Sequence, residues 1–298
     1  MKKILVLLLL LTTWAQSAER PRIAVTNEPM RYFAETLAGD FAEVVNRLPT
    51  KIDPEFWRPK DADIAAIQKA DLILMNGATY EKWAVTAPLP YSRMVDTSLG
   101  FADKFIFVEN AVTHSHGGSS EHSHGGTASI TWLDLKQASQ QAASAGAALA
   151  DAFPAEAKGI KQRTQELVTS LKKLDQDMRK AAQPLREDPK KVIVLASHSY
   201  YQYWSRAYGV KVASLSWEPD VDPTPKDLAD FEKLRSQHPE ARFFLWDETP
   251  SEANEAAIKR AGLTSIILTP AANSPSDGDF FRAMKANVAR LTAATRAD

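Results

Sequence analysis

The sequence predicts an α/β protein of two Rossmann-like α/β lobes joined by one long rigid helix. Three observations carry this. Short apolar runs alternate with helical stretches in both halves of the chain, the pattern of βα units wound around largely parallel sheets. Between the halves, Pro154 to Gln183 repeats Ile160, Leu167, Leu171, Leu174 and Met178 at helical spacing, with polar residues on its other faces. At about 1.5 Å per residue this helix reaches roughly 45 Å, the length of a small lobe. Beyond residue 18 the chain keeps about 280 residues, enough for two lobes of ordinary size.

Taken in order, residues 1–18 read as a signal peptide. Lys2 and Lys3 are its positive start, Ile4 to Leu11 its apolar centre, and Ala15 to Ala18 its small-residue end. The N-terminal lobe is assigned to 19–153. Its strands are expected at Arg22–Thr26, Ala42–Leu48, Asp71–Met75 and Phe105–Val108, and its helices at Pro29–Leu37, Asp61–Lys69 and Leu133–Phe153. Gly39 stops the first helix, and Asn76-Gly77 closes the third strand. The linking helix takes 154–184, with Pro184 and Pro189 at its end. The C-terminal lobe takes 185–298, with strands at Lys191–Ala196, Lys211–Ser216, Arg242–Trp246 and Ser265–Leu268. Its helices are expected at Tyr200–Tyr208, Lys226–Ser236, Glu252–Ala261 and Asp279–Thr295.

Composition narrows the function classes. The chain has no cysteine, so a lipid-bearing cysteine, disulfides, thiolate zinc sites and cysteine nucleophiles are excluded. Lys+Arg 36 nearly balances Asp+Glu 37, which argues against nucleic acid or an anionic membrane as the main partner. The expected product is a soluble periplasmic monomer. No Gly-x-Ser-x-Gly elbow, His-Glu-x-x-His pair or phosphate-cradling glycine loop is present. A periplasmic hydrolase built on Ser197-His198-Ser199 and Asp247 is kept as a minor alternative, because adjacent residues rarely present nucleophile and base to each other. The chain is expected not to be an enzyme.

The strongest chemical signal is a loop at 113–127 that writes His114-Ser-His116, a Gly/Ser spacer with Glu121, and His122-Ser-His124. Four of the six histidines lie in it. Imidazole is the commonest protein ligand for zinc and its neighbours. An extended His-x-His puts both rings on one side of the backbone, where one ion can meet them. Zn²⁺ is the expected metal. Cu²⁺ and Ni²⁺ favour imidazole too and would compete in vitro, whereas manganese prefers oxygen-rich sites.

Further segments fall in a recognisable order. They are Asp53-Pro54-Glu55 through Asp71, Met75-Asn-Gly-Ala-Thr-Tyr-Glu-Lys-Trp83, Thr131-Trp-Leu-Asp134, His198 through Gly209, Glu218-Pro leading to Pro223-Thr-Pro-Lys-Asp-Leu228, and Leu268-Thr-Pro270. In order and spacing the chain resembles the zinc/manganese solute-binding proteins of ABC importers, the TroA-like and ZnuA-like family. The resemblance implies a metal cleft between the lobes with up to four ligand positions, and a membrane permease as partner. Those positions correspond here to Glu55, Ile130, His198 and Thr269. Only Glu55 and His198 offer strong donors. Asp247, Glu248, Glu218 and Asp222 are further carboxylates that could fill the gaps, the first two at a strand end, where open α/β sheets place their sites.

The resulting candidate metal ligands are His114, His116, His122, His124, His198 and Glu55. The expected function is to capture Zn²⁺ and hand it on, as a metallochaperone or scavenger of solute-binding type working with another periplasmic metal-handling protein. The alternative is the binding component of a zinc ABC importer that docks on a permease.

Overall fold

One winding pattern is used twice. In the computed structural model, which describes residues 19–50, 52–108, 113–114, 122–123, 126–187, 193–273 and 278–297, the N-terminal lobe opens with β1 (Arg22–Val25), α1 (Glu28–Ala38), β2 (Glu43–Asn46), α2 (Asp61–Gln68), β3 (Leu72–Met75) and β4 (Met94–Asp96). Its sheet runs β2-β1-β3-β4, every pair parallel. Two short antiparallel pairs follow. β5 (Phe107–Val108) pairs with β8 (Gly126–Thr127), and between them β6 (Thr113–His114) pairs with β7 (His122–Ser123). α3 (Leu135–Ala152) and α4 (Ala157–Arg186) lead to the second lobe. That lobe comprises β9 (Val194–Ala196), α5 (Gln202–Tyr208), β10 (Val212–Ser214), α6 (Pro225–Gln237), β11 (Phe243–Trp246), α7 (Glu252–Arg260), β12 (Thr264–Ile267) and α8 (Phe280–Ala297). Its parallel order, β10-β9-β11-β12, repeats that of the first lobe.

Both sheets are buried on both faces, and the strands divide their side chains with period two. Ile23, Val25, Leu72 and Leu74 join one core while Ala24 and Ile73 join another. In the second lobe Phe243 and Leu245 face the shared core, and Phe244 and Trp246 face a separate cluster with Trp217 and Phe231. The shared core is continuous across the lobes. It contains Phe33 and Leu74 of the first, Leu245 and Ile266 of the second, and the eight buried apolar residues of α4. α8 returns to the first lobe, where Phe281 stacks on Tyr32 at 6.0 Å and Phe280 meets Phe33 edge-on at 5.7 Å. α3 and α4 approach closely at Gly146, where a Cβ would lie 2.2 Å from Thr164 Oγ1. One apolar spine thus ties the lobes together and fixes the walls between them.

Two expectations fail locally. Pro184 does not end the linking helix, which continues to Arg186. A proline this near a C-terminus removes only one helical bond, and the buried Ala181, Ala182 and Leu185 hold the last turn against the core. Phe107–Val108 is not a strand of the parallel sheet. That place belongs to β4, whose three half-buried residues form too short an apolar run to be read from periodicity. Residues 1–18, read above as a signal peptide, lie outside the described residues, as do Lys191 and Val192 at the start of the expected strand. Among the described residues no helix is long and apolar enough to cross a membrane.

Candidate metal centre

In each lobe the chain leaves the first strand on one side and the third on the other, so the crevice between these two strands is the natural place for a site. Ser197 and His198 follow β9, and Asp247 follows β11, at this point of the C-terminal lobe. The His198 ring is 1% exposed. Its Nδ1 lies 2.9 Å from Asp247 Oδ1, and Ser197 Oγ donates to the same oxygen at 2.6 Å. On the other side, His198 Nε2 is 3.6 Å from Glu218 Oε1. Burial alone would lower the His198 pKa, but the charge and hydrogen bond of Asp247, with a further contribution from Glu218, lift it to about 10. Burial alone would raise Asp247. The His198 ring and the Ser197 hydroxyl outweigh it and hold that carboxyl below its usual range.

The facing wall comes from the N-terminal lobe. In the turn Asp53-Pro54-Glu55, Asp53 Oδ1 accepts from the Glu55 amide at 2.9 Å. The Glu55 carboxylate is buried, accepting from Lys82 Nζ at 2.9 Å and from Ser129 Oγ at 2.8 Å. Lys82 is placed by an unusual run after β3, in which Gly77, Ala78 and Thr79 all take positive φ, of 78°, 50° and 61°. Such backbone is costly for non-glycine residues and persists only where its surroundings fix it. Here the Glu81 carboxylate accepts from the amides of Asn76 and Gly77 at 2.7 and 3.1 Å and from Thr26 Oγ1 at 2.6 Å. Burial pushes Glu81 up to about 7, against the pull of those donors.

Tyr200 joins the walls. Its hydroxyl donates to Asp53 Oδ2 at 3.2 Å, and its ring centre is 5.3 Å from that of His198. Burial, and then the charges of Asp53, Asp247, Glu55 and Glu218, push this hydroxyl well above its ordinary pKa, so carboxylates of both lobes converge on it. Beside it lies a pocket of about 40 Å³ lined by Glu55, Lys82, Ser129, Tyr200, Val108 and Thr127. That is room for a cation with a few waters and far too little for an organic solute. Trp132 Nε1 donates across the lobes to Pro270 O at 2.7 Å.

The sequence-named residues divide clearly. His198 and Glu55 are buried on opposite lobes, with Tyr200 and Asp53 between them. Ile130 is packed in the shared core and offers no donor. The Thr269 hydroxyl accepts from the Ala271 amide at 3.1 Å, and Asn287 clamps its backbone on both sides, so this position serves a turn. Of the four extra carboxylates, Asp247 and Glu218 reach His198, whereas Asp222 and Glu248 are exposed. Burial, then Asp247, Asp220 and Glu218, raise the Glu248 pKa. Ser197 Oγ donates to Asp247 and not to the His198 ring, so the hydrolase alternative lacks its Ser197–His198 pairing. Among the described residues no three His, Asp or Glu side chains form a complete cage. Of the loop, His116, Glu121 and His124 lie outside the described residues. The backbones of His114 and His122 are register partners in the β6–β7 pair, so the expected loop contains a short hairpin. Its base, at Val108 and Thr127, opens on the Glu55 pocket. Sequence reasoning missed Lys82, Ser129 and the Asp53–Tyr200 bridge. Each is a contact between distant segments that carries no local signature.

The chain matches the family described as ZnuA, zinc-uptake complex component A, periplasmic, over residues 23–294. It is 25% identical to the high-affinity zinc uptake system protein ZnuA of Bacillus subtilis (strain 168) over 264 residues, covering 84% of this chain and 78% of that protein. It is 23% identical to the manganese ABC transporter substrate-binding lipoprotein PsaA of Streptococcus pneumoniae over 286 residues, covering 94% and 90%. In fold it resembles the metal-dependent lipoprotein YcdH of Bacillus subtilis, with a TM-score of 0.74, 21% identity, and coverage of 92% of this chain and 98% of that one.

Proposed function

Because the chain belongs to the periplasmic zinc-uptake component A family of metal ABC-transporter binding proteins, which are not enzymes, we propose that it captures a divalent transition metal, zinc foremost, between its lobes in the periplasm and delivers it to a membrane permease. The observation that carries this reading is His198. A buried imidazole whose Nδ1 is anchored by a carboxylate presents Nε2 as a ligand in one tautomer, the arrangement metal-bound histidines usually have. Glu55 on the facing lobe supplies an oxygen once Lys82 is displaced. The histidine hairpin, with His114, His116, His122 and His124, collects metal at the mouth of the same pocket. The names of the relatives support both zinc and manganese as cargo. The imidazoles of this chain favour zinc.

A second reading, a soluble metallochaperone or zinc store without its own permease, is favoured by one observation. Ile130 and Thr269 take two of the four family ligand positions and donate nothing to a metal. In that case the hairpin holds the metal. Calorimetric zinc titration of the intact chain, a form lacking 113–127, and His198→Ala separates the two. Capture in the cleft predicts that tight binding survives loop removal and drops by about a hundredfold or more in His198→Ala, since tight zinc sites need three or four ligands. Metal held by the hairpin predicts the reverse.

A further inference from the structure

The spacing between His198 and Glu218 is the most informative distance in the molecule. At 3.6 Å, Nε2 and Oε1 face each other as a long ion pair, beyond the about 2.7–3.2 Å of a hydrogen bond. Two donors on one tetrahedral zinc, each about 2.1 Å from the ion, stand about 3.4 Å from each other. The observed separation is close to that of two ligands sharing a metal. Asp247 lies on the Nδ1 side of the ring, where its Oδ1 serves His198 Nδ1 and Ser197 Oγ, and so does not share an ion held at Nε2.

The loop that carries Glu218 is held in place. Asn254, buried on α7, donates through Nδ2 to the carbonyls of Glu218, Pro219 and Val221 at 3.0, 2.8 and 2.9 Å, and its Oδ1 accepts from Trp217 Nε1 at 3.0 Å. The Ser251 amide adds a bond to Pro219 O at 2.7 Å. Three carbonyls of one loop thus converge on a single buried amide. Such convergence fixes where the Glu218 backbone stands, so only its side chain is left to order when an ion binds. The side chain is about one-third exposed, although Oε1 itself is buried against the ring.

We infer that Glu218 is a metal ligand of this chain, sharing the captured ion with His198 Nε2, and that Asn254 is the residue that positions it. The inference rests on the cleft reading above. His198 and Glu218 form a two-donor half-site on the C-terminal lobe, and the remaining positions go to water and to the facing wall. A site of one imidazole and carboxylate oxygens tolerates zinc and also harder ions such as manganese, so Glu218 shifts the balance between them.

The test uses the full chain with the four hairpin histidines replaced by Asn, so that only the cleft reports. Zn²⁺ and Mn²⁺ titrations are run on this background and on Glu218→Gln, Glu218→Asp, Glu248→Gln and His198→Ala. The visible absorption of bound Co²⁺ reports the donor set directly. Glu218→Gln should weaken zinc by at least about tenfold, weaken manganese more, and change the Co²⁺ bands. Glu218→Asp should recover part of both, and Glu248→Gln should stay within about twofold of the background, because Glu248 acts on His198 only through its charge. If Glu218→Gln leaves affinity and Co²⁺ bands unchanged while His198→Ala abolishes binding, the Glu218 inference is overturned and the cleft reading stands. If His198→Ala binds as well as the background, or the background binds nothing, the cleft reading fails and takes the inference with it. Should Glu218→Gln fail to fold, Glu218→Ala decides, since unchanged bands and affinity there contradict the inference.

Discussion

The cleft and the histidine hairpin are built from the same donor chemistry in opposite ways. The hairpin has four imidazoles in thirteen residues rich in Gly and Ser, joined to the body by two short strand pairs. The cleft has one imidazole, but it is buried at the crevice of a sheet, fixed on Nδ1 by Asp247 and faced on Nε2 by Glu218. A ligand already held in its binding geometry pays little conformational entropy when metal arrives. On the proposed reading, donor number alone therefore does not rank the two regions, because His198 is already fixed where it would bind.

The largest expected break in this contrast comes from Asp247→Asn. The amide cannot hold the ring as the carboxylate does, and outer partners of this kind typically govern about 10–100-fold in metal affinity. Zinc binding in the cleft should fall by that amount while a hairpin-held ion is untouched, which calorimetry on the intact and loop-deleted forms resolves. Equal losses in both forms would mean that the hairpin depends on the cleft.

Per pH unit, the next effect is a dependence on acidity that differs between the regions. His198, lifted to about 10 by Asp247 and Glu218 against the effect of burial, carries its proton throughout the neutral range. Metal entering the cleft must expel that proton, so affinity should rise about tenfold per pH unit from about 6 to about 9. A free imidazole titrates at about 6.5, so an ion held only by such side chains should gain affinity up to about pH 7.5 and then level off. Titrations of the loop-deleted and His198→Ala forms across this range should give one rising and one flattening curve. Two flattening curves would contradict the assignment.

The smallest effect has the opposite sign. Lys82 Nζ sits on Glu55 and must leave before a metal can use that oxygen. The lysine is half exposed and the pair is worth little, on the order of 0.2–1 kcal/mol. Lys82→Met should therefore strengthen zinc binding in the cleft by only about threefold, and should reduce its salt dependence. Weaker binding would show that Lys82 supports the site instead of competing for it.

These contrasts also show why some of the molecule was legible in the sequence and some was not. The long helix was written in its repeat, and every apolar residue that defined it is buried. His198 was marked by its segment, and Asp247 by its place at a strand end, a rule of sheet topology that needs no contact information. Glu218 was one carboxylate among several until folding brought it to Nε2. The Lys82–Glu55 and Tyr200–Asp53 contacts join residues 27 and 147 positions apart, and no local pattern encodes either. β4 escaped for the same reason, because it is a strand only through its pairing with β3.

The most direct measurement is an anomalous difference map at the zinc edge from crystals of residues 19–298 grown with one equivalent of Zn²⁺. The account predicts the strongest peak between the lobes, about 2.1 Å from His198 Nε2 and within ligand distance of Glu218. A sole peak among His114, His116, His122 and His124, with His198 still pressed between its two carboxylates, would contradict it.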